Sequence, residues 1–179
     1  MERRKCFGTI VASGRRSAMP HGRASDKKIE TGEFVTLDFG AFYSGYCSDI
    51  TRTVVVGKAS PRQKKVYDVV ARAQKKGVEA VRPGRKGKDV DAAARAVIKK
   101  AGFGKYFGHG TGHGLGLLVH DVPGLGQTSE DILKTGMVVT IEPGIYLPGW
   151  GGVRIEDDVY VGPKIGLVLN RAPKELLEL

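Results

Sequence analysis

Two matched pairs of carboxylates mark this chain as a candidate cation binder. The run Thr31-Gly32-Glu33-Phe34-Val35-Thr36-Leu37-Asp38-Phe39-Gly40 returns without a gap as Thr135-Gly136-Met137-Val138-Val139-Thr140-Ile141-Glu142-Pro143-Gly144. Each copy ends an apolar run on an acid, and each is followed by a second run carrying another, Asp49 after Asp38 and Glu156 after Glu142. A single strand acid is usually solvated. Asp38 lies between Leu37 and Phe39, and an acid buried in such a strand needs a cation or a strong donor as partner. If the first hairpin is centred between Tyr43 and Ser44, Asp38 faces Asp49; if the second is centred on Gly149, Glu142 faces Glu156. Facing residues have Cβ atoms ~5 Å apart. Carboxylates that close raise one another's pKa unless a cation lies between them. Two such pairs suit two divalent ions ~3.5–4 Å apart.

Imidazoles lie between the two pairs. Of the four histidines, His109, His113 and His120 fall close together in sequence and only His21 is remote. In His109-Gly110-Thr111-Gly112-His113-Gly114 the glycines remove bulk around two rings, which would let an ion or substrate approach. A phosphate-cradling reading of the same glycines lacks the strand-to-helix context and the following Lys-Ser/Thr.

Several elements must position these groups. Phe7 to Val11 and Phe34 to Phe39 read as strands, and Tyr46 to Val56 as a longer one. Ser60-Pro61 opens a helix whose apolar stripe is Val66, Val69, Val70, Ala73 and Ala80, ended by Pro83-Gly84. Asp89 to Lys100 reads as a second helix stopped by Gly102. Strands near Met137 to Glu142 and Val153 to Val161 complete an α+β domain on an antiparallel sheet, two half-domains meeting at a pseudo-twofold axis. No linker or low-complexity tract divides residues 1–179, so one domain is expected.

Composition bounds the function classes. At 179 residues, 41% hydrophobic and 27% charged, the chain can bury a core of its own. Cys6 and Cys47 are too few for a disulfide framework, so reduced thiols and a cytoplasmic location are the default. No apolar run approaches a membrane span, and Met1-Glu2-Arg3-Arg4-Lys5 leads into no signal-peptide core. The net charge of +10 is scattered in short clusters, mostly on the polar sides of the two helices. A solvated face is therefore the expected reading, and nucleic acid is not the expected partner.

Taken together the motifs resemble the pita-bread metallopeptidases, in the Xaa-Pro branch that contains aminopeptidase P and prolidase. The carriers are Met19-Pro20-His21-Gly22, Leu37-Asp38-Phe39-Gly40, Ser48-Asp49-Ile50-Thr51-Arg52-Thr53, His109 to Gly114, His120-Asp121-Val122-Pro123, Ile141-Glu142-Pro143-Gly144 and Val153-Arg154-Ile155-Glu156-Asp157-Asp158. The resemblance implies a metallopeptidase catalytic domain with a pseudo-twofold antiparallel sheet and flanking helices. It implies two divalent ions, Mn²⁺ first and Co²⁺ or Zn²⁺ as alternatives. Asp38 would chelate one, His113 and Glu142 the other, with Asp49 and Glu156 bridging. A water between the ions would attack the bond before proline in a short peptide, and Glu142 would pass its proton to the leaving nitrogen. His21, His109, His120 and Arg154 match positions that hold substrate or stabilise the oxyanion. Arg154 just ahead of Ile155-Glu156, and His109 four residues ahead of His113, favour this branch over methionine aminopeptidase. The rival reading is a pita-bread module that binds protein or nucleic acid without turnover. Family members carry helices and a domain ahead of the first strand, so the chain reads as N-terminally truncated relative to the family. Cys6, Phe7 and Ile10 are then expected on an open apolar edge, and self-association into a homo-oligomer is expected with it.

Overall fold

The structure is a computed structural model that describes residues 4–179. Met1, Glu2 and Arg3 of the N-terminal charged run lie outside the described residues. The first half holds β1 (Arg4–Lys5), β2 (Ile10–Ser13), β3 (Phe34–Phe39), β4 (Ala41–Tyr43), β5 (Tyr46–Cys47) and β6 (Ile50–Val55). Two helices follow, α1 (Pro61–Ala80) and α2 (Gly87–Lys100). The second half holds β7 (Gly112–Gly114), β8 (Asp121–Leu125), β9 (Val138–Ile141), β10 (Gly144–Leu147), β11 (Gly151–Arg154), β12 (Asp157–Val161) and β13 (Gly166–Val168). The sheets are antiparallel, in the orders β2-β3-β6, β10-β11, β13-β12-β9-β7-β8 and the small β1-β4-β5. This is the α+β architecture expected from the sequence.

Both helices form where their sequences dictate. Ser60 Oγ accepts the Gln63 N–H and Gln63 Oε1 accepts the Ser60 N–H, a reciprocal capping box worth ~1 kcal/mol. The Val66, Val69, Val70 and Ala73 face of α1 is buried against Ile145, Leu147, Val153 and Ile155 of the sheets. Each fully buried valine there contributes ~1.5–3 kcal/mol. A second cluster joins Ala80 and Val90 to Val139, Ile141, Val159 and Val161. Helix α1 lies so close to β9 that a Cβ on Gly77 would come within 2.7 Å of Ile141 Cγ2.

The two hairpins differ from their expected geometry in instructive ways. In the first, Asp38 faces Thr51, not Asp49. Ser44 and Gly45 take φ of +50° and +89°, the pair of positive values that a two-residue primed turn needs. The hairpin centre therefore falls between Ser44 and Gly45, one residue later than expected, and every partner moves by two. Side chains alternate with period two, so Asp49 keeps the face it shares with Thr51. In the second hairpin Ile141 faces Asp157 and Gly144 faces Arg154, a single register that sets Glu142 opposite Glu156 as expected. The ladder breaks at those two acids, which splits the expected Val153 to Val161 strand into β11 and β12.

Three further expectations are corrected. The strand expected over Phe7 to Val11 is β2, which starts at Ile10. Ile10 is buried, and Cys6 and Phe7 are partly buried, so they form no open edge. Cys6 and Cys47 are joined in a disulfide, where the sequence suggested free thiols. Their meeting is a tertiary event: the pairing of β1 with β4, and of β4 with β5, carries two residues 41 apart in sequence to a Cα separation of 5.6 Å.

Candidate metal centre

All nine residues singled out in the sequence border one cavity of about 260 Å³: His21, Asp38, Asp49, His109, His113, His120, Glu142, Arg154 and Glu156. Asp38 comes from β3 and Asp49 from the residue before β6. His113 comes from β7, and Glu142 and Glu156 from the two ladder breaks. His21 and His120 lie exposed at the rim.

The inner acids are closely spaced. His113 Nε2 lies 3.2 Å from Glu142 Oε1 and 4.0 Å from Asp49 Oδ2. One ligand atom each from Asp49, His113 and Glu156 falls within a mutual 4.8 Å. His113 Nδ1 faces Gly114 O at 3.0 Å, a contact only a protonated nitrogen makes favourably, so Nε2 points at the carboxylates. Glu156 Oε2 accepts from Thr51 Oγ1 at 2.5 Å, and Glu142 Oε1 from Thr140 Oγ1 at 3.2 Å.

Electrostatics tests whether a cation suits this donor set. Burial first, then the charges of Asp38 and Glu142, push the Asp49 carboxyl up to about 8. Burial likewise raises Glu156 well above the carboxylate range, with Glu142, Asp49 and Asp38 adding to it. Burial also raises Asp38, partly offset by Arg154. Glu142 moves the other way: burial would raise it, but His113, His109 and Arg154 outweigh that and hold it low. His113 is raised, because Glu142 outweighs burial. Oδ1 of Asp38 and Oδ1 of Asp49 are buried with no hydrogen-bond partner. Orphaned carboxylate oxygens beside an imidazole and two further acids are the donors a hard divalent ion requires. The residues fit a metal centre.

Arg154 is more committed than its sequence position suggested. Its Nη2 donates to Asp38 Oδ2 at 2.6 Å, and its Nη1 reaches Pro20 O and Tyr146 Oη at 3.0 Å each. Its Nε meets Thr51 Oγ1 at 3.2 Å. Tyr146 continues the chain to His109 Nε2 at 2.8 Å, while His109 Nδ1 faces Gly110 O at 2.7 Å. Burial lowers the His109 pKa, so its ring is neutral and Nε2 accepts the hydrogen bond donated by the Tyr146 hydroxyl.

Sequence reading missed the support behind the histidines. Asp91 and Arg95 of α2 form a buried ion pair, with Arg95 Nε 2.7 Å from Asp91 Oδ2. Asp91 Oδ1 accepts both the N–H and the Oγ1 proton of Thr111, and Arg95 donates to the carbonyls of Phe107 and His109. The i, i+4 acid–base pair on the apolar side of α2 was the available signal. The glycines beside His113 serve packing rather than access. A Cβ on Gly112 would stand 1.9 Å from Thr140 O, and one on Gly114 would stand 2.2 Å from Val122 O.

Comparison with known proteins agrees with this geometry. The sequence profile of Metallopeptidase family M24 matches residues 2–163. The chain belongs to this family. Among M24-type relatives, the Xaa-Pro dipeptidase of Pyrococcus furiosus is 53% identical over 171 residues, 96% of this chain and 49% of that protein. The Bacillus subtilis protein described as uncharacterized peptidase YqhT is 57% identical over 173 residues, 97% of this chain and 49% of that one. The solved Xaa-Pro dipeptidase of Bacillus anthracis superposes with a TM-score of 0.96 at 55% identity, over 98% of this chain and 49% of that one. The fold of this M24 chain is thus the pita-bread fold, and family membership implies divalent metal. The chain spans about half the length of the curated relatives it matches. Among the described residues, no helix is long and apolar enough to cross a membrane.

Proposed function

We propose that residues 1–179 form one catalytic domain of a peptidase that hydrolyses the Xaa-Pro bond of short peptides at a dinuclear metal site. The observation that carries this reading is the convergence of Asp38, Asp49, His113, Glu142 and Glu156 on one cavity, with two buried carboxylate oxygens left unpaired. Asp38 would hold one ion and His113 with Glu142 the other, and Asp49 and Glu156 would lie between, with Mn²⁺ the first candidate. When bound, such ions polarise a peptide carbonyl and acidify water.

The remaining work falls to the protein's own groups. Glu142 is held ionised by His113, His109 and Arg154 despite burial, so it can take a proton and pass it to the proline nitrogen as the C–N bond breaks. His120 has a lowered pKa, from burial and from His113, and its ring centroid lies 4.3 Å from that of His113. A neutral imidazole at the rim can donate to a substrate carbonyl without competing for metal. His21 stands on the same rim and would meet the substrate's other end. Arg154 holds Asp38 in place and borders the cavity that would receive substrate.

Selectivity for proline follows from what surrounds the acids. Proline contributes a tertiary amide with no N–H. Phe7, Ile10 and Val119 line the cavity and offer its ring an apolar wall that asks for no donor. The relatives described as Xaa-Pro dipeptidases support the same substrate class. The test is hydrolysis of an Xaa-Pro dipeptide and an Xaa-Pro-Xaa tripeptide by the metal-stripped chain given Mn²⁺, Co²⁺ or Zn²⁺. Metal-dependent release of the N-terminal residue from either peptide is expected. Failure with all three ions, while methionyl peptides without proline are cleaved, would reject the reading.

A further inference from the structure

Every candidate ligand but one takes its backbone position from a neighbouring strand or from the loop beside it. Asp38 sits in a ladder between Ile10 and Thr51. The Glu142 N–H donates to Thr111 O, the Glu156 N–H to Thr51 O and the His113 N–H to Thr140 Oγ1. Asp49 lies opposite Gly40, in the break between the ladder of β3 with β6, which ends at Phe39 and Ile50, and the ladder of β4 with β5, which keeps the same register. Its N–H instead donates to Asp158 Oδ2 at 3.1 Å, and its carbonyl accepts from Asn170 Nδ2 at 3.2 Å. Asn170 Oδ1 in turn accepts the Asp158 N–H at 2.5 Å. The three residues close a ring around the Asp49 peptide groups.

We propose that Asn170, acting with Asp158, is a positioning residue that clamps the Asp49 backbone and thereby sets how tightly the metal pair is held; this rests on the dinuclear reading above. The ring needs a side chain that accepts on one arm and donates on the other, which only an amide supplies at this length. The strap that carries Asn170 is itself anchored. The Leu169 N–H donates to Asp158 O, and Arg52 donates to the carbonyls of Ala172 and Pro173. Asn170 lies beyond the residues 2–163 matched by the family profile. The clamp matters because Asp49 Oδ1 is buried with no hydrogen-bond partner, so the placement of the backbone that carries it helps to aim that oxygen. Ligands must be held to within ~0.5 Å for productive coordination, and loss of a supporting contact typically costs about 10–100-fold in metal affinity.

The test is Mn²⁺ titration of the metal-stripped 179-residue chain, followed by electron paramagnetic resonance, for wild type, Asn170→Asp and Asn170→Ala. Thermal melting of the metal-free proteins runs alongside. Asn170→Asp keeps the acceptor for the Asp158 N–H but sets a carboxylate oxygen against the Asp49 carbonyl. It is expected to weaken one ion about 10–100-fold and to delay the spin-coupled signal, with little change in the metal-free melting temperature. Asn170→Ala is expected to do the same. Unchanged affinities and an unchanged coupled signal in both variants would overturn the clamp. Loss of the metal-free fold in both would overturn it too, by showing Asn170 to be a structural element. A wild-type chain that binds a single ion would defeat the dinuclear reading alone, since the variant-to-wild-type affinity ratio for that ion still decides the role of Asn170.

Discussion

The two hairpins that deliver the carboxylates solve one problem in opposite ways. In the second, a single register runs from Ile141–Asp157 to Gly144–Arg154 and opens only where Glu142 and Glu156 face one another. There the Glu142 N–H donates to Thr111 O and the Glu156 N–H to Thr51 O, so backbone carbonyls hold both acids. In the first, the ladder runs unbroken through Asp38 and opens where Asp49 faces Gly40, before the same register resumes in β4 and β5. Asp49 is aimed by contacts 109 and 121 residues away in sequence, through Asp158 and Asn170. A repeat of sequence has therefore not produced a repeat of mechanism. In the half with the tight primed turn, the peptide groups of the second acid are held by the side chains of Asp158 and Asn170 rather than by backbone partners.

The difference can be broken first at the acid with the most chemical work. Glu142→Gln keeps the shape but removes the proton acceptor, and kcat on an Xaa-Pro dipeptide should fall by about 10²–10⁴-fold. Circular dichroism should stay unchanged, because the strand register and not this side chain holds the hairpin. A kcat within threefold of wild type would remove Glu142 from the proton path.

Next come the two neighbouring imidazoles of His113 and His120, which separate holding metal from holding substrate. His113→Ala should strip metal, measured by elemental analysis after gel filtration. His120→Ala should keep metal and lower kcat/KM by about 10–100-fold, an estimate typical of one lost polar contact in the transition state. Metal loss from the His120 variant would mean that the rim histidine is a ligand.

Packing in the second half offers a stability test. Gly112→Ala would press a methyl onto Thr140 O, and such overpacking costs about 1–3 kcal/mol. Gly45→Ala in the first half meets open space and is penalised only through its φ of +89°. Denaturant midpoints should rank Gly112→Ala as the more damaging change. The opposite order would show that the turn, not the close approach of β7 to β9, limits the fold.

The smallest expected effect is a pH dependence. Asp49 titrates at about 8 in the folded chain, well above an ordinary carboxyl. The folded state then binds more protons than the unfolded one across that interval, so stability falls with rising pH. The contribution is complete below about pH 4 and is lost as pH climbs through about 8. Metal-free protein should melt about 4 °C or more lower at pH 8.5 than at pH 5, and Mn²⁺ should stabilise it more at the higher pH. A flat profile without metal would mean that the acids are not packed together as described.

Much of the centre was legible because it is written in local pattern. The duplicated Thr-Gly and apolar run ending on an acid, the Ser60 cap, the helix stripes and the register about Gly149 all depend on neighbours close in sequence. Periodicity and turn chemistry determine such features before the chain folds. Those cues placed Glu142 opposite Glu156; His21 and Arg154, on the same cavity wall, came from the family resemblance. The local cues failed at the first turn, where moving the centre by one residue gave Asp38 a different partner. Nothing in the apolar pattern distinguishes two turn positions that leave the same face buried.

What the tertiary structure alone decided lies between segments distant in sequence. The Cys6–Cys47 disulfide, the bonds from Asp91 and Arg95 to Phe107, His109 and Thr111, and the capture of Arg154 by Asp38 each join groups whose types say little about their partners. The Asp49 clamp has the same origin. Sequence determined which carboxylates and imidazoles could share an ion, because residue type and alternation are local properties. Which oxygen is paired, which is orphaned and which way it points depend on hydrogen bonds made only once the sheets have packed.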